Sequence, residues 1–398
     1  MMRCNPGPLA SALVALLLGT SAVAAAGSVA SGKPIAVDLS YDGQHLALIA
    51  SSDRGQPQLE LANANGSGLH RVGFAETCRV NGIRWAPNWD RLAVLTSCRT
   101  DSGSAMADST IWLLNVGSRG ASDPVKLAVV AGAARDIRWT GDGRWVAFLT
   151  SPKGTGSAIE RVAISGGTPV IATPPELDVH EFRYSLYWNL LMFTATSPAE
   201  HASADVPALF VKHVGSDAAP TLVFDPNTAK GALHDLYVTQ PRFGRGGRHI
   251  LVFLGKHNKS AATGNLYLLP GPSPNASPIN LTRGQFKPSW FTFEGAFSGG
   301  VCCSLATQRV DGKTQVVKFR IYGTFARQTG TLFTVPGSIT DGRAQSSLSI
   351  TTHTSWNDGR QRIAFLQQSH PGAAAAIHVG WIGTQPPPEV RLASAADQ

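Results

Sequence analysis

Four arginines stand directly before an aromatic residue at corresponding points of the chain: Arg84-Trp85, Arg138-Trp139, Arg183-Tyr184 and Arg242-Phe243. Asp38, before Leu39, holds the equivalent place further upstream. A guanidinium presents a planar fork of donors that matches a carboxylate bidentately, so arginine is the residue type suited to seizing such a group. If the segments carrying these residues line a common channel, the side chains form a partial basic ring. That ring would attract an anionic group, such as the carboxylate of a ligand or of a partner's loop. The structural alternative is that the arginines pair with Asp38, Asp136 and Glu181 between neighbouring units, or cap the packed aromatic. His234, Asp235 and His257 are further candidates for binding, carried by loops and connections at a rim. The long loops also hold Arg99, Asp101, Glu200, His201, Lys256 and Lys259, and Arg343 lies in a connection. Long loops on a rigid scaffold are where binding tends to reside.

Other chemistries lack their residues. There is no G-x-S-x-G nucleophile elbow. His180-Glu181 is not followed by the second histidine of a zinc-protease helix, and no C-x-x-C pair occurs. Gly244-Arg245-Gly246-Gly247 is a glycine-rich turn without a following helix, unsuited to cradling phosphate. The expectation is no catalytic residue, no metal and no cofactor.

The elements that would position the arginines are read from a stretch present twice. Asn81 to Ser97 and Arg135 to Ser151 both run from a short strand ending in Ile-Arg-Trp, through a tight polar turn, to an apolar strand ending in Leu-Thr-Ser. Weaker copies have turns near residues 42, 187, 246, 299 and 358. Two more strand-like segments follow most hairpins, such as Thr110–Val116 and Val125–Val129, with turn signals such as Ser165-Gly166-Gly167 between them. Four antiparallel strands per unit, repeated radially, predict an all-β fold, a β-propeller of four-stranded blades, seven in number, with six or eight as alternatives. The aromatic at the end of each first strand is placed to fill the gap between blades. The last blade supplies its own fourth strand, Val390 to Ala393, so the ring closes by packing. An outer strand from residues 28–36 is the alternative.

Compartment follows from the N-terminus and the cysteines. Arg3, an apolar run from Leu9 to Val23 and the small residues Ala24, Ala25 and Ala26 predict a secretory signal peptide over 1–26, with one propeller domain over 27–398. No later run is long and apolar enough for a transmembrane segment. Cys78 and Cys98 fall nearly opposite each other across a hairpin turning at Asn88-Trp89. In an oxidising compartment that predicts a disulfide. Cys302-Cys303 are expected in a strand as two buried thiols, with a strained vicinal bridge as the alternative. The formal charge of +8 is spread along the chain without a Lys/Arg block, which argues against nucleic acid as partner.

Ser40-Tyr41-Asp42-Gly43-Gln44-His45-Leu46-Ala47-Leu48-Ile49 and Thr140-Gly141-Asp142-Gly143-Arg144-Trp145-Val146-Ala147-Phe148 resemble the WD40-like repeat of the TolB family (PD40). Tyr267-Leu268-Leu269 with Ile279-Asn280-Leu281-Thr282 is similar to the second half of that repeat. The propeller domain of prolyl oligopeptidase family peptidases has similar repeats, but the hydrolase signature is missing here. The resemblance implies the propeller fold and, less specifically, a role as a non-catalytic binding or scaffolding module in the periplasm or outside the cell. The expected partner is an envelope protein or a small anionic ligand or peptide, bound by a monomer. Two alternatives remain: a lyase- or lactonase-type enzyme using the central pocket, and a peptide-binding relic of a peptidase propeller.

Overall fold

The computed structural model describes residues 32–392 apart from 52–54, 76, 88–89, 99–107, 118–119, 152–155, 186–187, 197–205, 235, 245–248, 256–263, 272, 274–276, 283–287, 292–303, 323–324, 340–347, 351–361, 371–372 and 382–384. The signal-peptide region, Cys302 and Cys303 lie outside them, as do Asp235, His257 and Arg343. The other long-loop residues named above, Arg99, Asp101, Glu200, His201, Lys256 and Lys259, lie outside them too.

The described strands assemble into seven antiparallel sheets around an axis, a seven-bladed β-propeller. Each blade begins with its innermost strand. In blades 1 to 6 these are Lys33–Leu39, Cys78–Trp85, Ala134–Trp139, Asp178–Tyr184, Tyr237–Phe243 and Pro288–Phe291. In blade 7 two short pieces, Ser338–Ile339 and Leu348–Ile350, both pair with Arg362–Gln368.

In blades 1 and 3 a polar turn closes the inner hairpin for a local reason. In blade 1 the Ser40 hydroxyl donates to Asp42 Oδ1 at 2.6 Å, and the same oxygen accepts the Gln44 N–H at 2.9 Å. Thr140 and Asp142 repeat this in blade 3, at 2.6 Å and 3.1 Å. These side chains satisfy backbone donors that the tight turn leaves over. Gly43 and Gly143 adopt the positive φ each turn needs, 72° and 66°.

The second strands are buried on both faces, as Trp145–Thr150 and Leu190–Thr196 show. A blade therefore cannot stand alone. The buried residues form seven clusters, each contributed by two neighbouring blades. Phe148, fully buried, joins blade 3 to blade 2, and Phe193 joins blade 4 to blade 3. Val37, Leu39, Leu46 and Leu48 of blade 1 meet Ala364, Leu366, Ile377 and Val379 of blade 7, which closes the ring.

No strand is exchanged at that seam among the described residues. Lys33–Leu39 is the inner strand of blade 1, so residues 33–36 are not the outer strand of the last blade. The fourth edge of blade 7 is instead a single bridge from Glu389 to His378, with the Val390 N–H donating to the Ile377 carbonyl at 2.8 Å. It falls slightly upstream of the expected Val390–Ala393, because Pro387 and Pro388 deliver the chain to the edge and proline lacks a ladder donor. Gly66 lies under this segment with φ +87°, where a β-carbon would collide with the Arg391 carbonyl and the Val390 side chain.

One buried acid carries a pH signature. Glu60, in the third strand of blade 1, is 4% exposed and pairs with Arg71 at 3.5 Å, while its Oε2 has no hydrogen-bond partner among the described residues. Burial raises its pKa, and the Arg71 guanidinium opposes this only in part. The folded state therefore keeps a proton that the unfolded chain has lost once pH passes the ordinary glutamate value, and stability falls as pH rises through that window. Glu60→Gln is expected to melt higher than the parent at pH 7. The gap should close below about pH 4, as followed by thermal unfolding across pH.

Candidate functional site

The arginines reach the axis because the first strand of every blade is the innermost. Side chains alternate across a strand, so the residue before the buried strand-end aromatic faces the opposite way, toward the axis. The aromatic of one blade then reaches back to the blade before it. Trp85 Nε1 donates to the Asp38 carbonyl at 3.2 Å, and Trp139 Nε1 to the Arg84 carbonyl at 2.8 Å. These bonds tie neighbouring inner strands together at the level of the arginines. Asp38, 4% exposed, adds its own tie, accepting the Trp85 backbone N–H at 2.8 Å and facing Arg84 Nη1 at 3.4 Å.

Between blades 3, 4 and 5 the charges alternate as a ladder. Asp136 pairs with Arg138 Nη2 of its own blade at 2.5 Å and with Arg183 Nη1 of the next at 3.6 Å. Glu181 pairs with Arg183 Nη2 at 2.6 Å and approaches Arg242 Nη1 at 3.9 Å. Its other oxygen accepts the Gln240 N–H at 3.1 Å. Arg183 and Arg242 also donate to the Phe182 and Pro241 carbonyls, at 2.6 Å and 3.0 Å.

A β-bulge interrupts the inner strand just before this level, between Arg135 and Arg138, Val179 and Glu181, and Thr239 and Arg242. In blades 3 and 5 the bulge holds a non-glycine residue in the left-handed region, Asp136 at φ 54° and Gln240 at φ 50°. Such backbone costs energy and persists only where its surroundings hold it, and it collects at functional positions.

Among the described residues three carboxylates face four guanidiniums, which keep only 17 to 21% of their side-chain surface exposed. Burial, then the charge of Arg183, pushes Arg138 well below the ordinary arginine value, against the pull of Asp136. Burial and Arg183 likewise push Arg242 down to about 9. Each is also disfavoured by the charge of Arg84. Arg138 Nε is buried with no hydrogen-bond partner among the described residues. A guanidinium gives up its proton reluctantly, so an added anion is the readier relief.

Of the sequence-derived candidates, Asp38, Arg84, Arg138, Arg183 and Arg242 share this level. Asp136 and Glu181, named above as partners in the structural alternative, join them there as integral parts of the ladder. His234 is exposed, caps the 3-10 turn Gly231–Leu233 and lies in the connection from blade 4 to blade 5. Asp235 and His257 are outside the described residues. The paired cysteines are bonded, Cys78 opposite Cys98 at the far end of the inner hairpin of blade 2. Among the described residues no group of three or more His, Cys, Asp or Glu is arranged to hold a metal ion, and no helix is long and apolar enough to cross a membrane.

A second concavity escaped the sequence reading. A cleft of about 1080 Å³ opens where blades 1, 2 and 7 meet, lined among others by Asp42, His45, Asp90, Arg362, Trp381 and Glu389. Arg362 is held there by the Gly43 carbonyl at 2.6 Å and lies over the Trp381 ring at 4.8 Å. No local signal marks it, because its walls come from opposite ends of the chain.

No protein-family model matches the chain, and no curated protein matches it in sequence. Solved structures do. A prolyl endopeptidase superposes with TM-score 0.56 at 15% identity, over 91% of this chain and 49% of its own. Prolyl oligopeptidase B from Galerina marginata gives TM-score 0.54 at 12% identity, over 89% of this chain and 50% of its own. A putative TolB from Agrobacterium tumefaciens gives 0.42 at 17% identity, over 62% and 79%. The chain spans about half the length of the two peptidases. At such identities the likeness is one of fold.

Proposed function

We propose that this chain is an exported, non-catalytic propeller of the cell envelope that holds a partner or ligand by an anionic group at its axis. One observation carries the reading. The inner-strand ladder sets four arginines against three carboxylates and leaves a buried Arg138 Nε without a partner among the described residues. Preorganised, partly desolvated guanidiniums are worth more to an incoming anion than exposed ones, because the surrounding dielectric is low. Export is supported by the apolar N-terminal run and by the Cys78–Cys98 bond, which persists in oxidising compartments.

Anions that bind only the folded state raise its melting temperature by mass action, by about 2.7 kcal/mol of stability at a hundredfold excess over Kd. Succinate is therefore expected to raise the melting temperature well beyond what chloride does at equal ionic strength. The double variant Arg138→Gln/Arg183→Gln should respond to both salts alike. An equal response of the parent protein to succinate and chloride overturns the reading.

A further inference from the structure

The ladder follows a rule. Asp136 stands two residues before Arg138, and Glu181 two before Arg183. Each acid binds the arginine of its own blade and that of the next. By that rule the acid joining Arg84 to Arg138 belongs at position 82, which is Gly82. Among the described residues no carboxylate bridges Arg84 and Arg138 as Asp136 bridges Arg138 and Arg183. Asp38 engages Arg84 from the other side, at 3.4 Å.

We propose that a carboxylate from outside the chain takes this place, received between Arg84 and Arg138 over Gly82. The proposal rests on the anion-binding reading above and locates its seat. Three further observations support it. Arg84 and Arg138 are close enough for the charge of one to disfavour that of the other. The bond from Trp139 Nε1 to the Arg84 carbonyl holds the two inner strands side by side at this height. The unpartnered Arg138 Nε adds a donor for an incoming oxygen. Gly82 itself is buried, pairs with Leu95 just after the bulge at Val80, and is not among the left-handed glycines. Its backbone therefore does not require glycine. Gly82 extends no side chain toward the two arginines, where blades 3 and 4 place Asp136 and Glu181. Both a free organic acid and the C-terminus of a peptide carry the group that fits.

The test uses the full chain and three probes: succinate, N-acetyl-trialanine with a free carboxylate, and its C-terminal amide. The expected result is at least tenfold tighter binding of one or both carboxylate probes than of the amide, by calorimetry. A preference for succinate assigns a free acid as the source, and a preference for the tripeptide assigns a chain terminus. Gly82→Asp supplies the missing acid internally and should lose at least tenfold in affinity. Gly82→Ala, which adds bulk without charge, should stay within threefold. If Gly82→Asp does not fold, Arg138→Gln takes its place and should lose at least tenfold, with Lys126→Gln on an exposed outer strand as the unchanged control. Carboxylate binding that survives Gly82→Asp, or the Arg138→Gln change, overturns this seat while leaving an anion-binding axis standing. An equal loss in Gly82→Ala overturns it as well. No preference for either carboxylate over the amide removes both.

Discussion

Asp136→Asn is expected to cost about 3 kcal/mol of stability at neutral pH, the lower end of what removing one partner of a buried ion pair costs. Asparagine keeps the shape and tolerates the left-handed backbone at φ 54°, so the loss reads charge rather than strain. Without that charge Arg138 and Arg183 face each other across blades 3 and 4 with only Glu181, paired to Arg183, left to offset their repulsion. The variant should also bind succinate more tightly, since it opens a second vacancy in the ladder. Denaturant unfolding with and without succinate measures both effects. An unchanged midpoint would mean that Asp136 does not hold the two arginines.

Replacing Cys78 and Cys98 together by alanine is expected to remove a further ~3 kcal/mol, the chain-entropy value for a loop of this size; the bridge closes a separation of 20 residues. Reductant should impose the same loss on the parent protein and none on the variant. A parent protein that keeps its unfolding midpoint with both thiols shown to be free would refute the estimate. The site of this bond also reports on register. The hairpin of blade 2 pairs Trp85 with Leu92, and a bulge between Val80 and Gly82 shifts the remaining pairs by one, which brings Cys78 opposite Cys98.

That register was legible because turn chemistry is local. Asp-Gly at 42–43 and 142–143 with alternating apolar residues on each side fixes a hairpin without reference to the rest of the chain. Blades 1 and 3 were readable for that reason, blade 2 as a near copy of blade 3, and blades 4 and 5 as weaker copies. Blade 6 was harder to read because its third and outer strands, Lys313–Tyr322 and Phe325–Pro336, are long and slip register twice, at Val316/Val317 and Lys318/Phe319. The inner strand of blade 7 arrives in two pieces, a break no periodicity announces. At the candidate site the arginines were visible, since each precedes an aromatic. Asp136 and Glu181 were visible only as residues able to offset them. Their bridging of successive blades depends on bulges that turn the backbone just upstream, and on a neighbour some 50 residues away in a repeat of this length. The vacancy at Gly82 emerges only once the blades are superposed in space.

The join between blades 7 and 1 has a consequence for how the molecule is made. Leu46 and Leu48 of the first blade are covered by Ile377 and Val379 of the last, and Arg362 grips a turn 319 positions away. No sheet crosses that join among the described residues. A chain synthesised from its N-terminus must therefore carry an uncovered greasy flank on blade 1 until blade 7 has emerged, and a chaperone that shields that flank would act from the first blade to the seventh. For the same reason the order of the blades is open to rearrangement: a circularly permuted gene cut between any two of them would sever none of the described strand pairings.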